Sequence, residues 1–328
     1  GQDFDGNQNG YRMKDWLAFS TTDMKTWTEY PAPLRPTDFK WAAKHPAYAG
    51  HVAERNGKFY WYVSTNTGGI GVAVADRPEG PYKDAIGKPL LTRKDCFAST
   101  HSWACIDPAV FIDDDGQAYI FWGNRECYYA KLKDNMIELD GDIHQVKIDE
   151  SHPFTEAPWI HKYKDKYYLT YASEWPEKIA YAMADKVTGP YETKGVISEI
   201  AGNSNTTHPA IVNFKGQWLF FSHNGGLHNG TSYSRSVIVE PLEYEADGTI
   251  KPIMATAQGA VPKEYSGNPI LPGLHADPEV LYSEQTGRYY IYSTTDGQPG
   301  WGGWYFTCYS SDNLTDWRYE GINLDVCK

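Results

Sequence analysis

The chain has 328 residues, 41 % hydrophobic and 15 % aromatic, with 25 Tyr, 12 Trp and a formal net charge of −12. That is material for two ordinary domains or one large β architecture, and the aromatic excess suits strands and sugar-stacking surfaces. The negative balance and the lack of any basic run argue against nucleic acid and anionic membranes as partners, and no apolar stretch approaches the roughly 20 residues of a membrane span.

Taken in order, the chain opens without a signal-peptide pattern. Ala18-Phe19-Ser20-Thr21-Thr22-Asp23 leading to Trp27 reads as two outer strands, and Cys308-Tyr309-Ser310-Ser311-Asp312 leading to Trp317 repeats it near the end. Five hairpins lie between or beside these, each an apolar run, a polar turn and an aromatic-rich run. They turn at Gly57, Gly116, Asp165, Gly216 and Gly287, with spacings of 59, 49, 51 and 71 residues. Asn56-Gly57 and Asp115-Gly116 are hairpin dipeptides because glycine accepts positive φ. A second outer pattern occurs twice, as Ile70–Asp76 before Gly80-Pro81-Tyr82 and as Ile179–Asp185 before Gly189-Pro190-Tyr191. A period near 50 with four strands per unit predicts an all-β, five-bladed β-propeller rather than two stacked sandwiches. Asp134–Asp142 reads as a polar loop with at most a helical turn.

The division expected is a single catalytic domain over 1–328. It comprises a partial first blade at 1–45, blades two to five at 46–263, and a closing blade at 264–328. Five inner hairpins against six outer halves leave two explanations: a piece of a tandem protein, or a permuted or swapped first blade built from strands of both chain ends. Closure, within one chain or between two, is the expectation taken here. Five cysteines (96, 105, 127, 308 and 327) form no CxxC pair, so zinc-site spacing is absent, and a Cys96–Cys105 or Cys105–Cys127 bridge stays open.

Residues at the starts of innermost propeller strands converge on the axis. Here they are His51, Asp107, Glu156, His208 and Asp277, and in four of the five contexts a proline follows within two residues. Three carboxyls at equivalent repeat positions point to acid–base work. A Glu between Thr155 and Ala157-Pro158-Trp159 is poorly solvated if it faces a pocket, which favours its neutral, proton-donating form. Among the tryptophans, Trp103, Trp159 and Trp301 are candidates for stacking on a sugar ring, Trp103 the best placed because it lies four residues before Asp107.

With these motifs in this order, the chain resembles glycoside hydrolase family 43, whose five-bladed propellers cleave arabinose- and xylose-containing plant polysaccharides. The resemblance implies Asp277, in His275-Ala276-Asp277-Pro278, as the general base, Glu156 as the general acid, and Asp107, in Ile106-Asp107-Pro108, as the residue that orients the acid and holds it protonated. It implies Arg235, before Ser236-Val237, as a substrate contact, and His208 as the ligand of an axial cation, calcium, coordinated mostly by water. Trp103 and His51 complete the expected substrate site. The family places its base in the first blade, whereas here the A-D-P motif sits near the C-terminus. The reaction expected is inverting release of α-L-arabinofuranosyl or β-D-xylosyl residues from hemicellulose or pectin side chains. An endo-arabinanase and a non-catalytic carbohydrate-binding propeller are the alternatives. The substrate implied is a plant polysaccharide or oligosaccharide, the chain a monomer or strand-swapped dimer, and the location secreted or periplasmic.

Overall fold

The computed structural model describes residues 3–4, 7, 9–65, 67–227, 229–256, 259–260, 271, 275–295, 305–312, 314 and 317–325, without side chains at 275–278 and 324–325. Among the described residues it is all-β apart from two single 3-10 turns, Pro36–Asp38 and Arg93–Asp95. β1 (Trp16–Ser20) pairs with β2 (Thr28–Leu34). A four-stranded sheet follows, of β3 (Ala47–Arg55), β4 (Lys58–Thr65), β5 (Gly69–Ala75) and β6 (Lys83–Asp84). The next comprises β7 (Ala109–Ile112), β8 (Ala118–Trp122), β9 (Tyr128–Leu132) and β10 (Leu139–Gln145). Then come β11 (Phe154–Tyr163), β12 (Lys166–Ser173), β13 (Lys178–Ala184) and β14 (Glu192–Ser198). A three-stranded sheet of β15 (Ala210–Phe214), β16 (Gln217–Asn224) and β17 (Ser236–Pro241) precedes the last, of β18 (His275–Ser283), β19 (Arg288–Thr295), β20 (Tyr305–Ser311) and β21 (Arg318–Asp325). Every named ladder is antiparallel and joins strands adjacent in sequence, as short turns require.

The five expected hairpins are β3–β4, β7–β8, β11–β12, β15–β16 and β18–β19. Asn56 and Gly57 carry φ of 54° and 72°, the left-handed pair that matches the twist of flanking strands. Successive sheets bury one core between each neighbouring pair. Leu34, Trp16 and Phe39 pack on Trp61 and Val63, Tyr62 and Ile70 on Trp122 and Tyr128, Phe121 on Leu169 and Tyr171, and Tyr168 and Tyr181 on Phe220 and Ile211. The fifth sheet then meets the first: Lys215 Nζ donates to Thr22 O at 2.5 Å, and Thr231 Oγ1 to Asn7 O at 3.2 Å. The innermost strands β3, β7, β11 and β15 thereby surround a common centre.

Three expectations change. The polar stretch 134–142 runs into β10, an edge strand with mostly exposed side chains, so no buried face wrote an apolar alternation into its sequence. The fifth sheet has three strands among the described residues. After β17 the chain turns through Asp247-Gly248, and Ile253 N bonds to Ile197 O of β14 instead. Among the described residues the chain ends do not share a sheet: β1 pairs with β2, and β18–β21 pair among themselves. The last sheet instead touches the body through a small cluster of Leu271, Ile291 and Tyr309 with Met254. It leaves Val280, Leu281 and Tyr282 half exposed. Cys96, Cys105, Cys127 and Cys308 are buried free thiols.

Candidate active site

A cleft of about 1040 Å³ opens over the centre of the first five sheets. The strands reach it through bulges. In β11, Glu156 opposes Ala172 and Trp159 opposes Thr170, three residues facing two, and Ala157 is driven to φ 58°. An inserted residue bends the strand and re-aims its side chains. The same three-against-two step recurs at Ala47–Gly50 in β3 and at Ala276–Glu279 in β18. Asp107, just before β7, has φ 57°. A β-carbon in that region carries strain that surrounding contacts must hold, as at many functional sites.

The bulges carry Glu156 and Asp107 to one point with His208. His208 Nε2 is 3.1 Å from Glu156 Oε1 and 3.7 Å from Asp107 Oδ2. Asn124 Nδ2 donates to Glu156 Oε2 at 2.6 Å. Ala157 N donates to Asp107 Oδ2 at 3.1 Å, and Asp107 N donates to Ser64 Oγ at 3.2 Å. The Asp107 side chain is 4 % exposed and that of Glu156 14 %.

The proton distribution differs from the expectation that Asp107 keeps Glu156 protonated. Burial pushes Asp107 up to about 7, against the pull of His208 and with the charge of Glu156 adding to the rise. Burial also works upward on Glu156, but the hydrogen bond and charge of His208, with Asn124 and Arg235, hold it below its ordinary value. For His208 burial works downward and is outweighed by Asp107 and Glu156, which raise it. These directions favour imidazolium and carboxylate for the pair at 3.1 Å, with Asp107 partly protonated near neutrality. Desolvation alone protonates a buried carboxyl; a cation in contact with it reverses the order.

The remaining predicted residues separate. Trp103 and Arg235 line the cleft. The Arg235 fork, however, is taken by Asp3, with Nε to Oδ2 and Nη2 to Oδ1 both 2.9 Å, and its guanidinium lies over the Tyr11 ring at 5.2 Å. His51 lines a smaller cavity of about 250 Å³ behind the cleft and packs on the Trp159 ring at 4.7 Å. Burial lowers its pKa to about 4 and keeps it neutral. The β3 bulge explains the displacement: it spans 47–50, so Tyr48 turns into the cleft and His51 falls beyond it. Trp159 donates Nε1 to Ile211 O at 3.1 Å and serves packing. Trp301 lies outside the described residues, as does the side chain of Asp277, and the cleft residues described come from 3–237. Sequence reading missed Asp3, Asn124, Glu177 and the exposed rim indole of Trp175. Only Trp175 had a signal, as another tryptophan in a turn after an inner hairpin.

Asp107, Glu156 and His208 each offer a donor atom, all within 4.8 Å of one another, so the three could hold a metal ion. The fit to a hard cation is partial, since calcium takes roughly six to eight oxygens and here one of three donors is nitrogen. His208 Nε2 is also the atom turned to Glu156, so it must lose its proton before it can ligate.

The pKa order predicts a trade between stability and activity at Asp107. An unfolded Asp ionises near 3.9, whereas the folded one holds its proton to about 7. The advantage of the folded state is whole below about 4 and is lost as pH rises through 7. Asp107→Asn carries no such loss and can still accept from Ala157 N. Thermal unfolding should show its Tm at or below the wild-type value at pH 4 and a few degrees above it at pH 8, while turnover falls.

Comparison with known proteins places this geometry. The profile of glycosyl hydrolases family 43 matches residues 6–250. A β-xylosidase of Xylanibacter ruminicola is 32 % identical over 258 residues, 66 % of this chain and 76 % of the relative. A xylosidase/arabinosidase of Humicola insolens is 31 % identical over 75 % of this chain and 88 % of the relative. Among solved structures, an α-L-arabinofuranosidase of Clostridium thermocellum superimposes with a TM-score of 0.65 at 36 % identity, covering 77 % of this chain and 87 % of that one. A β-xylosidase/α-arabinofuranosidase from a compost metagenome, bound to xylotriose in a calcium-free form, gives 0.68 at 29 % identity, with 76 % and 88 % covered. An all-β scaffold with buried acids under an aromatic-lined cleft is that of a carbohydrate-cleaving enzyme. The chain belongs to glycosyl hydrolase family 43, and it is a glycosidase.

Proposed function

We propose that the chain is a five-bladed β-propeller that releases α-L-arabinofuranosyl or β-D-xylosyl residues from plant polysaccharide by inversion, acting outside the cell as a secreted or periplasmic enzyme. The observation that carries this is the buried Glu156–His208–Asp107 cluster at the floor of the cleft. Glu156 is the general acid. The His208 proton, 3.1 Å away, moves to Glu156 when substrate displaces water, because a neutral pair is favoured over an ion pair as the local dielectric falls. Glu156 then protonates the leaving oxygen. Asp107 holds the bulge through Ala157 N and limits the negative charge beside the acid.

The base that activates water is then Asp277, and the inverting mechanism requires its carboxylate to stand roughly 6.5–9.5 Å from that of Glu156. The strand β18 that carries it must then seat beside the cleft, in this chain or in a swapped second copy, and the repeated bulge supports its equivalence to β11. Calcium, where bound, would be held by neutral His208 with water completing its shell, leaving Glu156 outside it to carry the acid's proton, and would supply the positive charge otherwise given by the imidazolium. The test is release of p-nitrophenol from the α-L-arabinofuranoside and the β-D-xyloside. Turnover of either supports the reading. Binding of xylo- or arabino-oligosaccharides without turnover of either glycoside or of arabinan would make the chain a binding module.

A further inference from the structure

Glu177 lies in the turn between β12 and β13, and at 1 % exposure it is a fully buried carboxyl. Both its ends are tied to the segment that delivers His208. Glu177 N donates to Asn205 O at 2.9 Å, and Thr207 N donates to Glu177 Oε2 at 2.9 Å. Glu177 and Glu156 both line the cleft, and their carboxyls lie near enough to influence each other's charge. Two neighbouring carboxyls do not both ionise readily, and Glu177 is the one that keeps its proton. Burial, with the charge of Glu156, holds it in that form. A chain of bonds results: Glu177 fixes Thr207, the adjacent His208 bonds one Glu156 oxygen, and Asn124 bonds the other.

We propose that Glu177 is a positioning residue for the proposed acid, setting the direction in which the Glu156 carboxyl faces the cleft by holding the segment that bears His208 and standing beside that carboxyl. A buried carboxylic acid is costly where packing is the only need, since an apolar side chain fills the same space without an unsatisfied donor. Its placement here makes sense if Glu156 and the segment that bears His208 must be held in a fixed relation at the cleft wall. The inference rests on Glu156 acting as the general acid, and the test separates the two.

The experiment compares two substrates in each variant: xylobiose or arabinobiose, whose leaving group must be protonated, and the 2,4-dinitrophenyl glycoside, whose leaving group need not be. In Glu177→Ala, kcat on the disaccharide should fall about 30-fold with KM within about twofold, while the dinitrophenyl glycoside loses less than about threefold. Glu177→Gln, whose amide can accept from Thr207 N and donate to Glu156, should recover most of the loss. Glu177→Met, which fills the volume without either bond, stands in if the alanine variant does not fold, and should behave as alanine does. Equal losses on both substrates, or failure of glutamine to rescue, would mean that Glu177 only supports the fold and would overturn the proposal. So would an unchanged disaccharide rate in the alanine or methionine variant. Glu156→Gln measured alongside tells which idea failed: if it shows no dependence on leaving group, the assignment of the acid falls first.

Discussion

Glu156→Gln should lower kcat on xylo- and arabino-oligosaccharides by about 10³-fold, within the range a general acid contributes, and on 2,4-dinitrophenyl glycosides by less than about tenfold. The substitution keeps volume and planarity. His208 Nε2 can still donate to the new amide oxygen. The new amide nitrogen meets Asn124, whose amide can turn to offer Oδ1; its Nδ2 then takes the buried place where Oδ1 already had no partner, so the number of unpaired groups is unchanged. The variant should therefore fold normally, and the rate loss should report proton delivery. An equal fall on both substrates in a folded variant would remove Glu156 from the role of acid.

Asp277→Asn should cost about 10³-fold on both substrate classes, because water must be activated whatever the leaving group. Its location adds a second readout. The described lining of the cleft comes from 3–237, and β18–β21 form a sheet of their own beside Met254. If the base reaches the cleft from a second copy, mixing Glu156→Gln with Asp277→Asn protein should restore activity. Random pairing makes half the dimers mixed, each with one intact site, so about a quarter of all sites recover. Closure within one chain leaves the mixture as inactive as its parts. Full activity of Asp277→Asn alone would assign that aspartate to another site and leave the base of this one to be found elsewhere.

Much of this was readable beforehand because it is local. Hairpin turns announce themselves through residues that tolerate positive φ, such as Asn56-Gly57, and strands through their aromatic and β-branched runs. A repeat then multiplies each weak signal, which is how Asp107, Glu156 and His208 stood out at matching positions. His51 went astray by the same logic: a bulge shifts register by one residue without leaving a mark in composition, and Tyr48 took the cleft position.

Sequence by itself determined the strand order, the inner hairpins and the kinds of acid at their entrances, since these depend on neighbours a few residues apart. Tertiary structure alone decided which groups share one desolvated space. Asn124 and His208 reach Glu156 across 32 and 52 residues, Thr207 reaches Glu177 across 30, and Asp3 takes the fork of Arg235 across 232. A carboxyl keeps or loses its proton according to the charge about 3 Å away and the water excluded around it, and neither is encoded in the residues beside it in the chain.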